Sequence, residues 1–276
     1  MSEQLLKVLG GMLLAYVILC AFMYFKQDHF VFFPQSISDE RVQQLKTESG
    51  LEEITISTKD GKSLHGWLLL GSETDDIEKN IVIYFGGNAE EVSHLVEYFS
   101  GFSDWSFALV NYRGYGKSEG KPGEKNFFRD AVQIYDEIKE RIDENDVNIV
   151  TMGRSIGAGV ALHVAQNREV NGMILVSPYD RLVDVAKDAY PFLPVELLAR
   201  HRFNVIEKAP DIEVPAYALV AMEDRTIRPI RSKKLLEALA GEVFLTEIDG
   251  EDHNSVAHTS EYDEFLKNSL QELSME

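Results

Sequence analysis

The sequence has a single cysteine, Cys20, so no disulfide can form within the chain and no cysteine-based metal cluster can be built. It is also poor in positive charge. Lys and Arg number 27 against 46 Asp and Glu, a formal net charge of −19. Nucleic-acid binding selects for basic stripes, and this balance disfavours it. The acidic runs 73–76 and 143–146 fall in expected loops, where the charge serves solubility and points to no partner. Internal repeats, low-complexity tracts and a strong interior domain boundary are absent as well. What remains is a 276-residue chain that is 45% hydrophobic and 10% aromatic, enough for a sizeable core.

The first notable feature is Val8 to Phe25, eighteen residues without a charge, bounded by Lys7 and Lys26. As a helix it would extend about 27 Å, close to the hydrocarbon thickness of a bilayer. A cleaved signal would need a shorter apolar core and small residues before the cut, which are missing. A lipoprotein signal would need a small residue before Cys20, where Leu19 stands. The expectation is an uncleaved single-pass membrane anchor over residues 1–27. Lys7 and the amino terminus balance Lys26, Arg41 and Lys46, so charge does not set its orientation. Phe30 to Pro34 then reads as an interfacial aromatic segment.

From residue 28 onward the pattern is that of one α/β domain. Residues 53–57 and 63–70 are strand-like runs joined by Asp60-Gly61, a hairpin signal. Strands then alternate with helices. Strands are expected at 81–85, 107–112, 149–152, 173–176, 216–221 and 243–248. Helices are expected at 92–99, 124–142, 182–189 and 231–239, with a closing helix around 266–273. That alternation implies a mostly parallel sheet with helices on both faces. The long interval 178–215 is the place for a small cap over the catalytic edge.

The chain is organised around Val147 to Gln166. A buried strand runs into Gly153-Arg154-Ser155-Ile156-Gly157 and then into a small-residue helix. Strand, Gly-x-Ser-x-Gly and helix describe a nucleophile elbow, which lifts the serine hydroxyl above the sheet. The competing reading of Ser155 is an ordinary helix N-cap. A second match, Gly116-Lys117-Ser118-Glu119-Gly120, lacks a following helix, so Ser118 is expected to be a loop serine. It is no phosphate loop either, because Asn111 stands where the first glycine of that motif belongs.

An elbow serine needs a base, an orienting carboxylate and an oxyanion hole, with chain order serine, acid, histidine. His253, in a glycine-bearing loop after the last strand, fits the base, with His258 as a rival. Asp224, just past strand 216–221, fits the acid, with Glu223 and Asp180 as rivals. One oxyanion N–H would come from Ile156. The second would come from the turn Gly86-Gly87-Asn88, with Asn88 as the donor. Tyr190, Phe192 and Leu193 in the cap, with Leu197 and Phe203, line an acyl pocket or pack in the core.

These blocks resemble the α/β-hydrolase superfamily over about 30–265. They are similar in particular to its membrane-anchored members, including acyl-protein thioesterase-like and lysophospholipase-like proteins. The resemblance rests on 85–89, 111–120, 153–157, Glu223-Asp224 and 252–254. It implies an eight-stranded, mostly parallel sheet, a serine nucleophile, no cofactor, and a structural role for the Tyr112-Arg113-Gly114 loop. Gly86 departs from the pattern, since histidine usually precedes the oxyanion glycine there. The expected function is a membrane-tethered serine hydrolase of carboxylic esters or thioesters, requiring no metal and acting on a lipid-like or small acyl substrate. A peptidase or amidase, or a silent interaction module on the same fold, are the alternatives.

Overall fold

The computed structural model describes residues 3–71, 80–141 and 147–274. The acidic runs 73–76 and 143–146, and Ile142 at the expected end of the 124–142 helix, lie outside the described residues. Eight strands form one sheet in the order β1-β2-β4-β3-β5-β6-β7-β8. They are β1 (Leu51–Ser57), β2 (Ser63–Leu69), β3 (Asn80–Phe85), β4 (Ser106–Val110), β5 (Asn148–Arg154), β6 (Gly172–Val176), β7 (Ala216–Ala221) and β8 (Val243–Ile248). The β1–β2 and β2–β4 pairs are antiparallel, and every later pair is parallel. The hairpin turn carries Gly61 at φ +74°, a left-handed angle that glycine adopts without cost.

Before the sheet come α1 (Glu3–Lys26), α2 (Asp28–Val31) and α3 (Asp39–Leu45). Between and after the strands lie α4 (Val96–Phe99), α5 (Glu124–Arg141), α6 (Ile156–Asn167), α7 (Leu182–Ala189), α8 (Val195–Leu198), α9 (Pro229–Leu236) and α10 (Ser260–Leu273). The central strands read as continuous apolar runs because both faces are covered. Along β3, Ile81, Ile83 and Phe85 enter one core with α5 and α6, while Val82 and Tyr84 enter the other with α4 and α10. Strand period two thus divides each buried strand between two layers. The expected helix at 92–99 begins with a 3₁₀ turn, Val92–Leu95, before α4.

The cap interval holds α7, α8 and a 3₁₀ turn, Ile206–Asp211. Asp180, fully buried at its base, receives Lys234 at 2.9 Å and Arg231 at 3.3 Å from α9. Those contacts fasten the base of the cap to α9 and commit Asp180 to a structural ion pair.

Helix α1 has no buried residue and is long and apolar enough to cross a membrane. Its C-terminal end is fixed to the cap. The Gln27 side chain accepts from the Arg200 N–H (2.7 Å) and donates to the Leu198 carbonyl (3.1 Å). Asp28 meets Arg200 at 2.6 Å and His201 at 2.9 Å. The aromatic segment after it divides. Phe30 and Phe33 are exposed, whereas Phe32 is buried against Phe127, His201 and Phe203. Just past α2 the backbone is extended at Phe32 (φ −120°, ψ 130°), and successive side chains there point to opposite sides, so Phe32 belongs to the core rather than to an interface.

The tightest backbone packing lies at the elbow. A Cβ on Gly157 would stand 2.0 Å from the Phe85 carbonyl oxygen, and one on Gly153 would stand 2.2 Å from the Gly157 carbonyl oxygen. Neither neighbour can yield without moving β3 or the first turn of α6. Gly157→Ala should therefore cost about 4 kcal/mol or more in unfolding free energy. Gly61→Ala, with open space around its Cβ, should cost only the left-handed penalty of about 1 kcal/mol. Denaturant melts of the two variants check the contrast.

Candidate active site

Strand β5 ends at Arg154 and α6 starts at Ile156, so Ser155 alone makes the turn. Its backbone sits at φ 55°, ψ −121°, a conformation a serine holds only when its surroundings enforce it. The two elbow glycines supply that enforcement by letting α6 close directly onto β3 and β5. The Ser155 hydroxyl lies at the C-terminal sheet edge, beside the positive end of α6.

The same edge receives two further side chains. Asp224 follows β7 and is almost completely buried, and its Oδ1 accepts the N–H groups of Thr226 and Ile227, both at 2.8 Å. Its other oxygen, Oδ2, lies 2.6 Å from His253 Nδ1. His253 Nε2 in turn lies 3.0 Å from Ser155 Oγ. In the tautomer that donates from Nδ1 to an Asp224 carboxylate, Nε2 is left as an acceptor facing the serine hydroxyl. The loop bearing His253 is set by Asp252, whose side chain accepts the N–H groups of Asn254 and Ser255. The sequence rivals stand elsewhere: Glu223 and His258 are exposed, and Asp180 serves the cap.

The turn after β3 brings Asn88 to the cavity that Ser155 and His253 line. Among the described residues, neither the Asn88 nor the Ile156 N–H donates to a protein acceptor. Tyr115 donates to the Asn88 carbonyl (2.6 Å) and Tyr112 to the Gly86 carbonyl (3.1 Å), which orients the turn. Glu90, which sequence reasoning missed, holds it from the other side. Its Oε2 accepts the Gly87 N–H at 2.6 Å and the Tyr84 hydroxyl at 2.7 Å. A Cβ on Gly86 would lie 3.1 Å from that same oxygen, so the glycine leaves room for the carboxylate. Arg154 spans the gap between loops, with Nη1 3.6 Å from Glu90 and Nη2 donating to the His253 carbonyl at 3.0 Å. No periodicity marks Glu90. The only hint in the sequence is a carboxylate just beyond a glycine turn that ends a buried strand.

Burial pushes the Glu90 carboxyl up, but contact with His94, the Arg154 charge and the hydrogen bonds from Gly87 and Tyr84 outweigh it. The net result lies below its ordinary value of 4.5. The Glu90 contact in turn raises the His94 imidazole.

Ser118 is a buried loop serine, as expected. It accepts the His65 N–H and donates to the Asn111 carbonyl, both at 2.9 Å, tying β2 to the end of β4. Arg113 in the same loop is held by Asp60 and Asp130.

A cavity of about 760 Å³ opens onto Ser155, Ile156, Asn88 and His253. Tyr190 and Leu193 line it, but Phe192 does not. Phe192 lies in the turn between α7 and α8, its ring edge-on to Tyr190 and 61% exposed, so its side chain points outward. Leu197 is likewise external at 82% exposure, and Phe203 is wholly core.

If Glu90 holds the turn, Glu90→Ala leaves the Gly87 N–H and Tyr84 hydroxyl buried without acceptors and should cost about 2–4 kcal/mol. Glu90→Gln keeps an acceptor and should recover most of that loss. The folded carboxyl is shifted down, so its contribution is full above its unfolded value of 4.5 and disappears as pH falls through the lower folded value. The stability gap between wild type and Glu90→Gln should therefore narrow only below pH 4.5 in pH-resolved melts.

A family model described as "Serine aminopeptidase, S33", of hydrolase type, matches residues 77–201. The Arabidopsis thaliana alpha/beta hydrolase domain-containing protein WAV2 is 25% identical over 202 residues, covering 67% of this chain and 65% of that protein. The lysophosphatidylserine lipase ABHD12 of Danio rerio is 30% identical over 184 residues, 59% of this chain and 47% of its own length. In fold, the Pyrococcus furiosus esterase Pf2001 superposes with a TM-score of 0.68 at 20% identity, covering 88% of this chain and 96% of that one. Sheet order, elbow geometry and these similarities together make the chain a member of the α/β-hydrolase superfamily.

Proposed function

We propose that the protein is a membrane-tethered serine hydrolase of carboxylic esters, oxygen or sulfur, with Ser155, His253 and Asp224 as its catalytic residues. The observation that carries this reading is the hydrogen-bonded line from Ser155 Oγ to His253 Nε2 (3.0 Å) and from His253 Nδ1 to Asp224 (2.6 Å). His253 takes the hydroxyl proton as Ser155 Oγ attacks the acyl carbon. The resulting oxyanion accepts the N–H groups of Asn88 and Ile156, which have no competing acceptor among the described residues. Collapse breaks the bond to the leaving alcohol or thiol, which receives the proton from His253. Water, deprotonated by the same imidazole, then releases the acid and regenerates Ser155.

Three features favour an ester over a peptide. The cavity is lined mainly by apolar side chains. Its one acidic lining residue among those described, Glu90, is committed to Gly87 and Tyr84, so no carboxylate is free to hold a substrate ammonium. Two of the similar proteins are named as a lipase and an esterase. The tether is α1, with residues 1–27 as the anchor and 28–276 as the hydrolase domain, the cap lying within 178–215.

Ser155→Ala should lower turnover of a p-nitrophenyl ester by about 10⁴-fold or more with the melting temperature preserved. Ser118→Ala, outside this machinery, should keep turnover within about threefold once its folded fraction is accounted for. Steady-state kinetics on the purified variants check both. The reverse pattern would move the nucleophile to the other motif.

A further inference from the structure

The cavity beside Ser155 is not closed by the hydrolase domain alone. Met23 of α1, Gln27 at the junction after it, and Phe30 and Val31 of α2 line the same cavity as Ser155 and His253. Across from them stand Leu193 and Leu198 of the cap. Val183, Leu193 and Val195 form a small apolar cluster against Cys20 and Met23, so helix and cap share one packed surface. The junction is fixed by the Gln27 and Asp28 contacts to Leu198, Arg200 and His201. A helix held in this way is built into the pocket. A loose leash would show neither the apolar packing nor the polar clamp.

The outside of the cap continues the helix's apolar surface. Phe192 (61% exposed) and Leu197 (82% exposed) present large side chains to solvent beside a helix that is itself unburied. Tyr16 donates to the Phe192 carbonyl at 2.9 Å. Tyr16 lies ten residues before Lys26, about 15 Å along the helix axis. If α1 spans a bilayer, the Phe192 turn lies below the level of Lys26 and Asp28, where the surroundings are lipid. Placing the Phe192 side chain there removes the cost of its exposure to water, and Leu197, beside the Leu198 contact to Gln27, stands at the membrane surface.

We propose that α1 is a wall of the acyl-binding site and that the cap is seated in the membrane surface, so that a long-chain lipid ester passes from the bilayer into the cavity between α1 and the cap. This rests on the membrane-tethered ester-hydrolase reading and adds the substrate's physical form and its route. Entry from lipid spares the tail a passage through water, where each methylene drawn out of the bilayer lowers the population available by about fourfold. Polar groups at the far end, Ser155, His253 and Arg154, receive the ester.

The test uses the full chain reconstituted in phosphatidylcholine vesicles, with p-nitrophenyl butyrate and p-nitrophenyl palmitate as probes. Met23→Trp puts a bulky ring into the cavity wall and should lower the palmitate-to-butyrate ratio of kcat/KM at least tenfold. Leu14→Trp, on the lipid side of the same helix and outside the cavity, should leave the ratio unchanged. Phe192→Asp combined with Leu197→Asp should lower the same ratio at least fivefold by withdrawing the cap from the lipid. Should Met23→Trp fail to fold, Met23→Ala, which lengthens the cavity, should shift the preferred chain length upward. Unchanged ratios in folded Met23 and cap variants would overturn the proposal and reduce α1 to a tether. Hydrolysis of either ester that persists undiminished in Ser155→Ala would instead overturn the assignment of Ser155 as nucleophile, and with it the cavity beside Ser155 as the acyl site.

Discussion

The approach of the Gly157 backbone to the Phe85 carbonyl, too close for any side-chain carbon between them, is the constraint on which the site depends. It draws the first turn of α6 against the end of β3. Ser155 is thereby forced to φ 55°, with its hydroxyl raised above the sheet edge. The same approach sets the Ile156 N–H beside the turn after β3, which carries the Asn88 N–H. The proposed nucleophile and oxyanion donors are thus positioned by one piece of backbone packing, and the parallel register of β3 and β5 carries that packing into both cores.

Onto that frame are added two loops that the sheet does not position, and charge holds them. Glu90 fixes the turn after β3 through the Gly87 N–H and the Tyr84 hydroxyl. Arg154, the residue just before Ser155, reaches from near Glu90 to the His253 carbonyl. A buried carboxylate with a charged neighbour and two donors is stabilised in its ionised form, whereas the same group unpaired would be costly. The sheet edge at Ser155 therefore has a polar underside joining the turn after β3 to the histidine loop, and a cavity lined mainly by apolar side chains beside it.

Much of this was legible in the sequence, because its determinants are local. Apolar runs marked every strand to within about two residues, and the order of glycine turn, elbow, Asp224 and His253 along the chain carried over to one sheet edge. What could not be read depends on contacts between distant segments. Glu90 is an ordinary acid until Gly86, Tyr84 and Arg154 surround it. Phe192 shares its composition and neighbourhood with Tyr190 and Leu193, yet a turn between α7 and α8 directs it outward. Met23 belongs to an uninterrupted apolar helix with almost no amphipathic signal, so nothing in its periodicity marks the face that lines the cavity. Phe32, within an aromatic run that reads as interfacial, is claimed by the core through Phe127 and Phe203.

The central claim is that the raised Ser155 hydroxyl, activated by His253, forms a covalent acyl-type adduct. The most direct measurement is intact-mass and peptide mapping of the full-length protein after exposure to a fluorophosphonate. The account predicts a single adduct on the peptide containing Ser155, lost when His253 is replaced by alanine. An adduct on Ser118, or none on protein shown to be folded, would contradict it.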